Sequence, residues 1–134
     1  MKEEFRTFRG YALEQRDEGA LTPSLEDYLE MICRLAGERG YVRVNDLAAA
    51  LNVQPPSVSK AVQKLAAQGY LQYQPYGLLE LTSRGEAVGR ALLARHELVA
   101  TFLKLLGTRV NLLQDTERIE HLLSDETLAC MAAF

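Results

Sequence analysis

The chain is poor in cysteine, histidine and tryptophan: its 134 residues include two cysteines, two histidines and no tryptophan. Cys33 and Cys130 stand at no metal-ligand spacing. That removes a thiolate zinc site and leaves a reduced cytosol as the simplest setting, with both thiols as small core residues. No apolar run approaches the ~18–20 residues needed to cross a bilayer. The N-terminal stretch MKEEFRTFRGYALEQRDEG is mixed in charge and lacks a signal-peptide apolar region. A cytoplasmic protein with no membrane partner is therefore expected. An excess of basic charge is missing too. The net charge of −3 argues against a constitutive nucleic-acid binder.

What is present is a good core and an uneven distribution of charge. Nearly half of the residues are hydrophobic and a quarter are charged, as in an ordinary soluble protein. The length suits one domain or two small ones sharing a core. Between Gln54 and Leu79 the chain carries Lys60 and Lys64 and no acid, while the acids gather towards both ends.

Periodicity and punctuation give the organisation. Residues 1–20 form a polar lead in which Phe5, Phe8 and Ala12 share a helical face, either a frayed arm or one that packs on a dimer partner. Thr22-Pro23-Ser24 opens the first firm helix, with Ser24 and Asp27 resembling a capping box. Its core stripe is Leu25, Tyr28, Leu29, Ile32 and Ala36, and Gly37 and Gly40 end it. Tyr41–Val44 reads as extended, and Asn45 caps a short helix over Asp46–Leu51. Pro55 and Pro56 fit only the first turn of a third helix, which runs to about Gln68. Two strand-like pieces, Tyr70–Tyr73 and Leu78–Leu81, flank the turn Gln74-Pro75-Tyr76-Gly77. Thr82-Ser83 starts a long fourth helix that reaches Leu106, with Gly107 as its cap. A fifth helix is expected from about Asn111 to Leu123, and a sixth from Ser124. The fold class is therefore mainly α: a winged helix-turn-helix DNA-binding domain followed by a helical domain. Residues 1–20 are an extension, 21–82 the first domain and 83–134 the second.

A helix-turn-helix presents its second helix to the major groove, where short polar side chains reach bases and lysines grip phosphates. Ser57, Ser59, Lys60, Gln63 and Lys64 have that chemistry opposite the core face Val58, Val62 and Leu65. Gln54 and Pro56 at the helix start, Arg43 on the extended piece and Tyr76 in the turn complete the candidate contact set. Two lysines on a solvated helix face are weak evidence alone. The order of elements around them carries the reading.

Both histidines stand beside acids or apolar stripes. His121 closes Glu117-x-x-Glu120-His121, and His96 lies within Leu92, His96, Val99 and Leu103. Asp27-x-x-Glu30 lies far upstream. Residues three or four apart share a helix edge. Taken singly, each cluster has a plain explanation: acid pairs are usually solvated, and a histidine on an apolar face is usually a satisfied core residue. Together, four carboxylates without a cation repel one another, and a cation turns that cost into attraction. Four carboxylates balance two divalent ions, which points to a two-metal site and would bring the formal charge to +1. An oxygen and nitrogen set of this kind leaves Mn²⁺, Fe²⁺ and Zn²⁺ all possible.

Thr22–Glu30, Gly40–Val44, Pro56–Lys60, Arg95–Leu98 and Glu117–His121 closely resemble the manganese transport regulators, the manganese-responsive branch of the diphtheria-toxin-repressor family. The resemblance covers roughly residues 21–130. It implies a homodimeric repressor that binds double-stranded operator DNA when loaded with Mn²⁺ and lowers manganese uptake. It implies two Mn²⁺ per chain, held by Asp27, Glu30, His96, Glu117, Glu120 and His121 with some carboxylates bridging; Fe²⁺, Zn²⁺, Co²⁺ or Cd²⁺ would also bind in vitro. Asp27 replaces the thioether of iron-responsive relatives, and the chain stops before their SH3-like third domain. Three features depart from the pattern: the turn at 74–77 lacks basic residues, Leu122 replaces a second histidine, and the C-terminal helical region is short. No small organic ligand and no catalytic residue are expected. The alternatives are a carboxylate-bridged two-metal enzyme, marked by metal-dependent oxidation or hydrolysis, and a metal-independent winged-helix repressor, marked by unchanged DNA binding in chelator.

Overall fold

The computed structural model describes residues 21–74 and 77–134. The proposed arm over residues 1–20, and with it Phe5, Phe8 and Ala12, lies outside the described residues, as do Pro75 and Tyr76 at the turn. The elements run α1 (Pro23–Arg39), β1 (Val42–Arg43), α2 (Val44–Leu51), α3 (Pro55–Ala67), β2 (Leu71–Tyr73), β3 (Leu78–Leu81), α4 (Ser83–Leu106), α5 (Leu112–Ile119) and α6 (Asp125–Ala133).

Local chemistry accounts for most boundaries. Pro23 takes the first helical position of α1, so the cap falls on Thr22, whose hydroxyl accepts from the Leu25 N–H at 3.2 Å. The expected Ser24 cap is displaced into the first turn for that reason. The α1 helix passes through Gly37 and stops at Gly40, which sits in the left-handed region at φ 80° and donates to Ala36 O at 2.8 Å. Asn45 is likewise not the cap of α2. Arg43 occupies that position, and the Asp46 carboxylate reaches back to accept its N–H at 3.0 Å. Asn52 then ends α2 at φ 55°, the one non-glycine residue with positive φ among the described residues.

The three strands form an antiparallel sheet in the order β1-β3-β2, with Val42 opposite Leu79 and Gln72 opposite Glu80. A helix-turn-helix of α2 and α3 followed by a hairpin wing is the result. Val58, Ala61, Val62 and Leu65 turn α3 inward onto Leu29, Ile32, Val42 and Leu47, and this core continues to Leu92 on α4.

Two close approaches fix α4 against the winged helix. Thr82 accepts from the Gly85 N–H at 3.0 Å and donates to Gly69 O at 2.6 Å. Gly85 lies directly under the Tyr70 carbonyl and Gly89 against the side chain of Cys33. The Arg84 guanidinium stacks 4.4 Å over the Tyr70 ring and donates to Gln68 O at 2.9 Å.

The C-terminal region differs most from expectation. The fifth helix is shorter at both ends, Leu112–Ile119 against the expected Asn111–Leu123. Ser124 must be extended (ψ 159°) to accept the Thr127 N–H and cap α6, so the chain leaves the helical path before it. Leu122 consequently lies beyond the helix and is 54% exposed. Cys33 is buried as anticipated, but Cys130 is exposed, in a shallow cleft that it lines with Phe102 and Phe134. Phe134 meets Phe102 edge-to-face at 5.9 Å yet stays largely in solvent.

The α4 contact gives a direct stability test. A Cβ at Gly85 would overlap the Tyr70 carbonyl, a backbone atom that cannot swing away. Gly85→Ala is expected to cost about 1–3 kcal/mol through overpacking and to lower the thermal midpoint by several degrees, read by circular dichroism. An unchanged midpoint would refute the close packing.

Candidate metal centre and DNA-reading face

Four side chains reach one point from α1, α5 and the turn after it, and four reach a second from α1, α4, α5 and the same turn. Asp27, Glu117, Glu120 and His121 offer ligand atoms that all lie within 4.8 Å of one another, and so do Glu30, His96, Glu117 and Glu120. Glu117 and Glu120 belong to both groups, so the two points adjoin. The six residues singled out from the sequence are thus brought together. A 310 Å³ cleft lined by Asp27, Glu30, His96 and Glu117 has Met31, Arg34, Leu51 and Leu113 at its margin.

The turn of chain matters here. Glu117 is on α5, but Glu120 and His121 follow its last helical residue. Glu120 keeps helical angles (φ −60°, ψ −31°), so the spacing from Glu117 still places both carboxylates on one side. His96 Nδ1 lies 2.6 Å from Glu120 Oε2 and 3.2 Å from Glu117 Oε1. His121 Nε2 lies 2.6 Å from Asp27 Oδ1 and 3.3 Å from Glu120 Oε1.

Several of these atoms are orphans. Asp27 Oδ1, Glu30 Oε1, Glu120 Oε1 and His121 Nε2 are buried and lack a hydrogen-bond partner, even where a neighbour is close. The short Asp27–His121 approach is therefore not aligned as a hydrogen bond. Buried polar atoms are nearly always paired, and three carboxylate oxygens converging beside an imidazole nitrogen, none of them in an aligned hydrogen bond, are what a cation's ligands look like before it binds. A hard or borderline divalent ion fits this oxygen-and-imidazole set.

The electrostatics agree. Burial, together with the negative charge of Glu120, pushes Glu30 up to about 7. Burial, together with Glu117, pushes Glu120 up to about 7. His121 is raised to about 10 by the Asp27 and Glu26 carboxylates, against the opposing effect of burial. The site compensates its own repulsion by holding protons.

Two residues of the site were not foreseen. Glu26 Oε1 lies 3.0 Å from His121 Nδ1, and Arg95 Nη1 donates to Glu26 Oε2 at 3.3 Å. Arg95 Nη2 also lies 2.9 Å from His121 Nδ1. Burial raises the Glu26 carboxyl, but the His121 and Arg95 hydrogen bonds outweigh it and hold Glu26 below its ordinary value. These partners are 69 and 95 residues apart in sequence, and no spacing rule links them.

Gln54 is exposed at the start of α3, Pro56, Ser57, Lys60, Gln63 and Lys64 are exposed along it, and Ser59 is half-buried. Arg43 is exposed on β1, with its guanidinium 5.3 Å over the Tyr41 ring. Tyr76 lies outside the described residues. At the base of the wing, Gln74 donates to Glu80 Oε2 at 2.9 Å. No helix among the described residues is long and apolar enough to cross a membrane.

The raised groups set the pH behaviour. A carboxyl moved from 4.5 to about 7 stabilises the fold below 4.5, and that stability is lost as pH rises through about 7. His121 acts in the same direction, its contribution present below 6.5 and lost towards about 10. In chelator, the thermal midpoint is expected to fall as pH rises from about 6 to about 8. Divalent metal should largely cancel that fall. Metal binding near pH 7 should release protons, seen in calorimetry as a heat that changes with the ionisation enthalpy of the buffer. A heat independent of buffer would contradict the assigned protonation.

Comparison with known proteins gives a consistent picture. Residues 20–79 match the family described as "Iron dependent repressor, N-terminal DNA binding domain". Residues 82–134 match "Iron dependent repressor, metal binding and dimerisation domain". The "HTH-type transcriptional regulator MntR" of Geobacillus kaustophilus is 51% identical over 104 residues, 77% of this chain and 74% of that protein. Among solved structures, a "Manganese-dependent transcriptional repressor complex with manganese" is similar at TM-score 0.72 and 33% identity, over 81% of this chain and 51% of that one. The "manganese regulator SloR" aligns at TM-score 0.73 and 27% identity, over 85% and 54%. The chain thus spans about half the length of those two solved chains.

Proposed function

The chain belongs to the iron dependent repressor family, and we propose that it is a metal-dependent transcriptional repressor of manganese homeostasis, activated by Mn²⁺. It is a transcriptional regulator and not an enzyme. The observation that carries the Mn²⁺ reading is the donor set: carboxylates and imidazoles with no thiolate, two of the carboxylates common to both groups. Soft ligands favour copper and zinc, and leaving them out takes away part of the advantage those metals hold over Mn²⁺.

We assign Asp27, Glu117, Glu120 and His121 to one ion and Glu30, His96, Glu117 and Glu120 to a second, giving two per chain. The bound cations supply the positive charge that lets four carboxylates stay ionised side by side. Asp27 and Glu30 belong to α1, which packs directly against the helix-turn-helix. His96 belongs to α4 and Glu117, Glu120 and His121 to α5 and its end. Residues drawn together across these elements narrow the angle between the DNA-reading half and the C-terminal half. The exposed apolar side chains Leu105, Leu106, Val110 and Phe134 offer the C-terminal half a surface for a second copy. In such a dimer two α3 helices must stand about one DNA turn apart, ~34 Å, to read two half-sites of operator DNA. A restricted angle then raises affinity by favouring one spacing, a population shift. A repressor that binds operator DNA acts in the cytoplasm, where that DNA lies.

Fluorescence anisotropy with operator DNA under buffered metal tests this. Mn²⁺ is expected to tighten binding at least tenfold, a coupling of about 1.4 kcal/mol. Glu120→Ala combined with His121→Ala should abolish the gain. Equal binding in chelator and Mn²⁺ would overturn the reading and favour a metal-independent repressor.

The α3 face makes a separate prediction. Lys60→Ala and Lys64→Ala should each weaken binding across sequences and reduce the log–log salt slope by about 1, the mark of a lost phosphate contact. An unchanged slope would remove these lysines from the interface.

A further inference from the structure

We infer that Glu26, held by Arg95, is a positioning residue that aims the His121 imidazole at the metal site. The inference rests on the metal centre proposed above. Every residue in it lies outside the ligand set except His121.

The two nitrogens of His121 face different surroundings. Nε2 faces the ligand groups, 2.6 Å from Asp27 Oδ1 and 3.3 Å from Glu120 Oε1. Nδ1 faces away, 3.0 Å from Glu26 Oε1. An imidazole that coordinates through Nε2 carries its proton on Nδ1, and that proton needs an acceptor. Glu26 is the acceptor at the right distance. Its side chain is 16% exposed, so water does not substitute freely for it.

Arg95 holds the carboxylate in turn. Its Nη1 donates to Glu26 Oε2 at 3.3 Å, and its Nη2 is 3.3 Å from Glu26 Oε1. A guanidinium has donors only. Once Nδ1 carries a proton, the 2.9 Å approach of Arg95 Nη2 to Nδ1 sets one donor against another. Arg95 then serves Glu26 alone, through both carboxylate oxygens. The order is fixed: Arg95 orients Glu26, Glu26 orients His121, and His121 offers a free lone pair. Glu26 adjoins Asp27 on α1, so one helix turn supplies both a ligand and the orienting group for a ligand beyond α5. The linkage between the two halves is doubled there.

Mn²⁺ titration by calorimetry on the intact chain tests this with Glu26→Gln, Glu26→Asp, Arg95→Met and His121→Ala. Glu26→Gln keeps the shape and is expected to weaken Mn²⁺ binding about tenfold, within the range for removing an orienting partner. Arg95→Met should do likewise, and Glu26→Asp should recover part of the loss. Helix content by circular dichroism should be unchanged in Glu26→Gln. The spectroscopic reading is the ¹⁵N tautomer pattern of His121 in protein loaded with diamagnetic Cd²⁺. The intact chain should show a protonated Nδ1, and Glu26→Gln should lose or broaden that signal. Weakening by His121→Ala but affinity within twofold of the intact chain for Glu26→Gln would overturn this inference alone. Mn²⁺ affinity untouched by His121→Ala would overturn the metal centre itself, and this inference with it.

Discussion

Carboxylates that the fold pushes together out of reach of water are the constraint from which the rest follows. Glu30 and Glu120 are both buried, Glu120 completely. Burying one unpaired carboxylate is costly, and burying several beside one another compounds the cost. The apolar core offers no reward for such an arrangement. It persists because the surrounding helices are fixed by other means: the shared core of Leu29, Ile32, Val58, Val62 and Leu92, and the tight α4 approach at Gly85 and Gly89. Core packing therefore holds a strained electrostatic site ready, and the site is relieved by protons or by cations.

The relief has a direction in space. Asp27 and Glu30 lie on the helix that supports the DNA-reading element, while His96, Glu117, Glu120 and His121 lie on or after the helices behind it. Any charge that pulls these groups together acts across that junction and not within one element. Coupling of this kind has to be small to be useful. A site worth a few kcal/mol in differential binding shifts occupancy by orders of magnitude, and stays reversible over ordinary changes in free metal. The acidic balance of the chain works with it. A protein of formal charge −3 has little background attraction to DNA, so under the proposed mechanism its binding depends more on the geometry that metal selects.

Local chemistry made much of the fold legible. Caps, prolines and stop glycines marked the helices, and period-2 runs marked the wing. The misplaced boundaries share one cause, a competing residue one or two positions away. Pro23 moved the cap from Ser24 to Thr22, the Asp46 carboxylate moved it from Asn45 to Arg43, and the Ser124 cap cut α5 short. The clustering of the candidate ligands was legible because helical spacing puts Asp27 with Glu30, and Glu117 with Glu120, on common edges. Glu26 and Arg95 were not, because their partners are set by how helices cross, which no local pattern encodes. Cys130 was assigned to a core that the end of α6 does not enter.

Cys33 shows how the same packing guards the chemistry of the site. It follows Glu30 by three residues on α1, a spacing that brings a thiol to the edge carrying Asp27 and Glu30. A thiolate there would draw in softer metals. The fold spends Cys33 elsewhere: its side chain fills the gap opposite Gly89, where a Cβ would come within 2.8 Å of Cys33 Cβ and 3.1 Å of Sγ. Burial raises the thiol above its ordinary pKa, so it stays protonated and a poor ligand. Among the described residues neither ligand group includes it. The glycine that lets α4 approach α1 thus has a second consequence: it gives the Cys33 thiol a place to pack outside both candidate ligand groups.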